Sequence, residues 1–265
     1  MSAPDPDALE DRATTLASAD DAARLNELAS LLRTRDFLDA LDPPETLLGP
    51  PSHLRVALVL DELSHNPATA LTHPALVALC QDPVFTAAPA RVDLLITALA
   101  AVRPAPPPVV AFWDRHCQPL DGFANLSVRA LLENRSDPAL ALFEQKMLDE
   151  SHEESTRVMW LHHFVVPHRD DLGVLGACER LLAVALSARV WVAVVESLFD
   201  YQLDAWYGPI DAPTPPPWET VSPPAQEVFV RIGTGALQHL APEDPLQSVV
   251  ARRIEDWQQP TAPAR

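Results

Sequence analysis

The sequence predicts an all-α fold assembled from helix hairpins, with no sheet. Three observations carry this expectation. The chain has 7 Gly against 28 Pro in 265 residues. Tight β-hairpins need glycine for positive φ, whereas proline suits the first turn of a helix and the stiff connectors between helices. Apolar residues recur at helical spacing along most of the chain, and no stretch alternates apolar with polar between glycine turns. Asp-Pro recurs as punctuation at 42–43, 82–83, 137–138 and 244–245. Aspartate is a good N-cap, and proline at the first helical position gives up an N–H that has no helical partner anyway.

The elements follow in order. Residues 18–34 have a Ser or Asp N-cap, acidic residues in the first turn, and Leu25, Leu28, Leu31 and Leu32 at helical spacing. Residues 51–65 open on proline, and 66–81 form a further helix with a bend expected at Pro74. Over 90–102, Val92, Leu95, Ile96 and Leu99 share one stripe. Helices are then predicted over 107–118, 123–136, 137–150, 152–166, 169–186 and 188–206. Residues 207–224 hold seven prolines, too many for a helix interior, and read as an extended surface loop. A C-terminal helix pair over 225–259, packed on the preceding helices, and a disordered tail at 260–265 complete the chain.

Residues 127–147, "SVRALLENRSDPALALFEQKM", carry a family likeness. Val128-Arg129 precedes Ala130, Leu131 and Leu132, and Asp137-Pro138-Ala139-Leu140 follows. This resembles the join between successive HEAT repeats, in which a Val-Arg helix leads into an Asp-Pro turn. The resemblance is clearest over 121–186 and extends loosely over 51–205. It implies a right-handed α-solenoid across residues 1–206, in which each hairpin contacts its neighbours. The first Asp-Pro spacings, 40 and 55 residues, bracket the repeat length of that class.

Charge narrows the function. The formal net charge is −18, with a single lysine, Lys146, among the basic residues. Nucleic-acid binding draws its affinity from cations meeting phosphates, and an anionic membrane surface repels such a chain; neither partner is expected. A basic protein partner would be steered inward. Residues 1–50 hold eleven acidic side chains against four arginines, a net of −7. Their expected places are helix starts and solvated faces. An acidic groove lined from three or more helix pairs would instead mark a binding surface. Cys80, Cys117 and Cys178 are odd in number and far apart, which fits a reducing, cytoplasmic setting. No apolar leader precedes the first helix.

The densest reactive cluster is "RVMWLHHFVVPHRDD", residues 157–171. Val158, Leu161, His162 and Val165 fall on a core stripe, Pro167 ends the helix, His168 and Arg169 lie in the turn, and Asp170 or Asp171 caps the next helix. Glu153 is placed to pair with Arg157 at i, i+4. Helical zinc pairs are spaced i, i+4, and 162/163 and 163/168 are not, so no metal is expected. Trp113 to Cys117 reads as a helix end with a buried thiol.

No nucleotide or cofactor motif is present, and no cofactor is expected. The leading expectation is a protein-binding scaffold or adaptor, including an inhibitor or immunity-type protein for a basic partner. Trp206, Tyr207 and Trp218 are the candidate partner-binding aromatics. The alternative is an enzyme with a pocket between helices that uses His162, His163, His168, Asp170 and Asp171.

Overall fold

A computed structural model describes residues 5–41, 53–184, 186–199 and 220–258. Among these there are fourteen α-helices and no strand. The expected surface loop at 207–224, the tail at 260–265, Asp42-Pro43, and Trp206, Tyr207 and Trp218 lie outside the described residues, apart from the loop's last residues, 220–224. The chain forms two compact units, residues 1–138 and 139–265.

The first unit holds α1 (Pro6–Ala17), α2 (Ala22–Leu31), α3 (Arg35–Leu41), α4 (His53–His65), α5 (Thr69–Cys80), α6 (Pro89–Leu99), α7 (Pro107–His116) and α8 (Ala124–Asn134). Two of these, α1 and α3, are additions to the helices predicted from sequence. In α1 the threonines and alanines give a weak periodic signal, yet Ala13, Leu16 and Ala17 are buried. The Asp5 side chain caps α1 and Asp21 caps α2. Asp7 and Asp36 occupy first turns, where the helix dipole favours them. Helix α5 runs unbroken through Pro74.

The helices of this unit pack in two files. In one, α1 packs on α4, α4 on α6, and α6 on α8; in the other, α2 packs on α5 and α5 on α7. The stripe predicted for α6 faces inward: Val92, Leu95, Ile96 and Leu99 are all buried.

Two buried asparagines join successive helices of the first file. Asn66 follows α4 and donates from Nδ2 to the carbonyls of Ala17 (2.7 Å) and Ala19 (3.0 Å) at the end of α1. Its Oδ1 accepts from the Ala68 N–H at 2.8 Å. Asn134 ends α8 and donates to the carbonyls of Ala100 (3.0 Å) and Val102 (2.9 Å) at the end of α6. Its Oδ1 accepts from the Ser136 N–H. Helix ends leave carbonyls without intrahelical partners, and these amides satisfy them in the interior. The same contacts place the C-terminal ends of α1 and α4, and of α6 and α8, side by side.

The second unit holds α9 (Asp137–Leu148), whose first two residues close the first unit, then α10 (Glu154–Trp160), α11 (Leu172–Leu182), α12 (Ala188–Phe199), α13 (Pro223–Leu237) and α14 (Pro245–Gln258). Helix α13 starts two residues inside the segment expected to be loop, with Ser222 as its N-cap. Asp244 accepts from the Leu246 N–H at 2.9 Å, as its Asp-Pro signature predicts. Helix α13 packs on α11 and α14, and α12 packs on α14. Lys146 is buried within α9 at 3% exposure. Arg157 turns inward to donate to the Met147 carbonyl at 3.0 Å and does not pair with Glu153.

Candidate functional site

The histidine stretch does not continue as a plain α-helix. After α10 the backbone widens into a π-turn over Leu161–Val165, then tightens to a 3₁₀ turn over Val166–His168. Pro167 has no N–H for the carbonyl of His163, so the α-register cannot continue across it. The wider turn changes the phase of the side chains. Leu161 and Val165 stay in the core, but His162, expected there, is half-buried with Nε2 3.2 Å from Glu196 Oε2. Arg169, expected in an open turn, is 2% exposed. Burial and the nearby Arg253 push its pKa down to about 10, so it stays charged near neutrality.

His163 and His168 are half-buried and Asp170 is exposed. Asp171 caps α11, accepting from the Gly173 (2.9 Å) and Val174 (3.1 Å) N–H groups. Among the described residues no three His, Cys, Asp or Glu side chains gather as a metal set. The cysteines are buried, and burial raises the Cys80 thiol to about 11 and the Cys178 thiol to about 12. Both are protonated at neutral pH and are poor nucleophiles. Next to Cys117, the His116 ring lies 3.6 Å from Asp121, between Phe112 and Phe123.

Three histidines share one electrostatic character. Burial lowers the pKa of His73, His116 and His163 from the ordinary imidazole value, and the charge of His162 adds to the effect at His163. Above that ordinary value all three are neutral in the folded and unfolded chain alike. Below it the unfolded chain binds protons that the native chain does not, so acidification favours unfolding until the lowered native values are reached. Urea melts should therefore give a lower midpoint at about pH 5.5 than at about pH 7.5, a window in which ordinary carboxylates stay ionised. A flat or rising midpoint would show that these rings meet solvent as freely as in the unfolded chain.

A more developed site lies in the first unit. A cleft of about 780 Å³ opens along α4 and α6, with Glu133 of α8 in its lining. Helix α4 contributes Ala57, Leu58, Asp61, Ser64 and His65. Helix α6 and the turn after it contribute Asp93, Leu94, Thr97, Ala98 and Ala101, and α8 contributes Glu133. Within each helix these positions recur at helical spacing, so each forms a stripe about 12 Å long. Buried Leu60 and Ala98 lie at its base, and Leu58 stands over them at 54% exposure.

Each of the three helices sets one carboxylate in the wall. Asp61 lies 3.3 Å from the exposed His65. Glu133 pairs with Arg129 at 2.7 Å, and its backbone carbonyl accepts from the Arg103 guanidinium. Asp93 is exposed and makes no ion pair among the described residues. The C-terminal ends of α6 and α8 meet beside Glu133 and add the negative ends of their dipoles.

This cleft is absent from the site residues read from sequence, although one signal for it existed. In "RVALVLDEL" the core side of α4 is Val56, Val59, Leu60 and Leu63. Ala57 and Leu58 are apolar beyond what that core uses.

No family model, curated protein or solved structure matches this chain.

Proposed function

We propose that the chain is a protein-binding scaffold, a right-handed α-solenoid of HEAT-like hairpins, whose partner seats in the cleft along α4, α6 and α8. One observation carries the reading: three successive helices of one file share an apolar cleft and each adds a carboxylate to its wall. A stack in which each hairpin contacts its neighbours presents such continuous surfaces, and the acidic wall suits a basic partner. Several acidic residues of the N-terminal region have local roles instead. Asp5 and Asp21 cap helices, Glu27 pairs with Arg12, and Glu10 and Asp7 pair with Arg55. The buried thiols suit a reducing, cytoplasmic setting.

The enzyme reading has its own support in the π-turn, a feature frequent at functional sites, and in the His162–Glu196 contact. Among the described residues no three His, Cys, Asp or Glu side chains gather as a metal set, and the binding reading is preferred on the strength of the cleft. Affinity capture from the source cell, with the native chain and a Leu58→Asp/Asp93→Lys variant in parallel, tests the binding reading. A protein retained by the native chain and lost from the variant is the expected result. Identical captured proteins from both would place binding elsewhere and end the cleft assignment.

A further inference from the structure

We infer that the occupant of this cleft is a cationic amphipathic helix of two to three turns, presented by the partner. The inference rests on the scaffold reading and specifies its ligand. Among the described residues the lining offers side chains and no strand edge, which leaves no template for a peptide to add as a β-strand. The two stripes run along α4 and α6, which pack against each other. A helix laid along their seam would contact both at ordinary interaxial distances of about 8–10 Å. Ala57, Ser64, Thr97, Ala98 and Ala101 leave room for its apolar knobs, with Leu58 and Leu94 flanking them.

The carboxylates set the polarity and spacing of that helix. Asp93 sits at one end of the α6 stripe. Glu133 sits at the other, because the neighbouring Asn134 binds the carbonyls of Ala100 and Val102. Asp93 and Ala101 are about 12 Å apart along the helix axis. That rise corresponds to two arginines or lysines about eight positions apart on one face of the bound helix. Asp61 faces the middle of the groove. Arg129 already neutralises part of Glu133, so Asp93 is the stronger of the two end contacts.

A fluorescein-labelled Ala/Gln peptide of about 16 residues, with leucines on one face and arginines at i and i+8, is the probe. Two controls accompany it: a shuffled peptide of identical composition, and one with glutamate in place of arginine. Anisotropy titration of the native chain should show saturable binding of the patterned peptide, at least about ten times tighter than either control, and weakening with salt. Asp93→Asn should weaken it about fivefold, and Leu58→Asp at least about tenfold. Both sites are exposed, and unchanged thermal melts will confirm that the variants fold. Equal binding of the shuffled peptide, indifference to Asp93→Asn and Leu58→Asp, or no binding at all would overturn the inference. The scaffold reading fails separately: it stands if the cell-derived partner still depends on Leu58 and Asp93 while the peptide does not bind.

Discussion

Asn134→Leu lowers the stability of the first unit by about 3 kcal/mol. The side chain is 1% exposed, and its amide is a hydrogen-bond donor to both Ala100 and Val102. Leucine has similar bulk but leaves two buried carbonyls and the Ser136 N–H without this partner. Each stranded group costs about 1–3 kcal/mol, and the apolar gain from leucine offsets part of the total. A urea melt should show the loss as a lower midpoint at unchanged slope. Asn66→Leu should behave alike, since Asn66 has the same arrangement with Ala17 and Ala19. The two sites share no partners, so the double variant should show the sum of the losses. A loss under about 1 kcal/mol in each would mean that water reaches the freed carbonyls.

Gly233→Val destabilises the second unit by a similar amount, about 3 kcal/mol. A Cβ at this position would sit 2.8 Å from Ile254 Cδ1, 3.0 Å from Phe199 Cζ and 3.1 Å from Val250 Cγ1. The glycine is what lets α13 approach α12 and α14 so closely, and the branched side chain adds two further carbons to the crowded space. Gly235, two residues along the same helix, has nothing within 4 Å of the corresponding Cβ. There Gly235→Ala should raise stability by about 0.5–1 kcal/mol, through helix propensity alone. Opposite signs at neighbouring glycines, read from paired thermal melts, are the expected signature. A destabilising Gly235→Ala would show that the helix has closer neighbours there than the structure gives it.

Sequence and structure agree where the determinants are local. The cap at Asp171, the cap at Asp244 and the buried stripe of α6 each depend on residues within a few positions of one another, so a pattern of spacing suffices to read them. The rest depends on partners distant in sequence. Helix α1 is stabilised by burying Ala13, Leu16 and Ala17 against other helices, which its own weak periodicity does not announce. His162 left the core because one widened turn altered the helical phase that the prediction assumed to be constant. Arg157 could be matched with Glu153 by spacing, but its guanidinium found the Met147 carbonyl. The cleft exists only because α4 and α6 set two stripes side by side. Nothing in either segment alone says which neighbour its outer face will meet.

The buried place of Lys146 reaches into the protein's chemistry. It is the chain's one lysine, and at 3% exposure its side chain is almost wholly covered. Acetylation, methylation and ubiquitin-type conjugation all act on a lysine amine, so on the folded chain each of them meets a single, covered target. Amine-reactive labels meet the same barrier and would acylate Lys146 only when α9 opens. The rate of that acylation is thus a clock for opening events in the second unit. Apart from histidine, the cationic side chains of the surface are all arginines, whose guanidinium keeps its charge to higher pH than a lysine amine does.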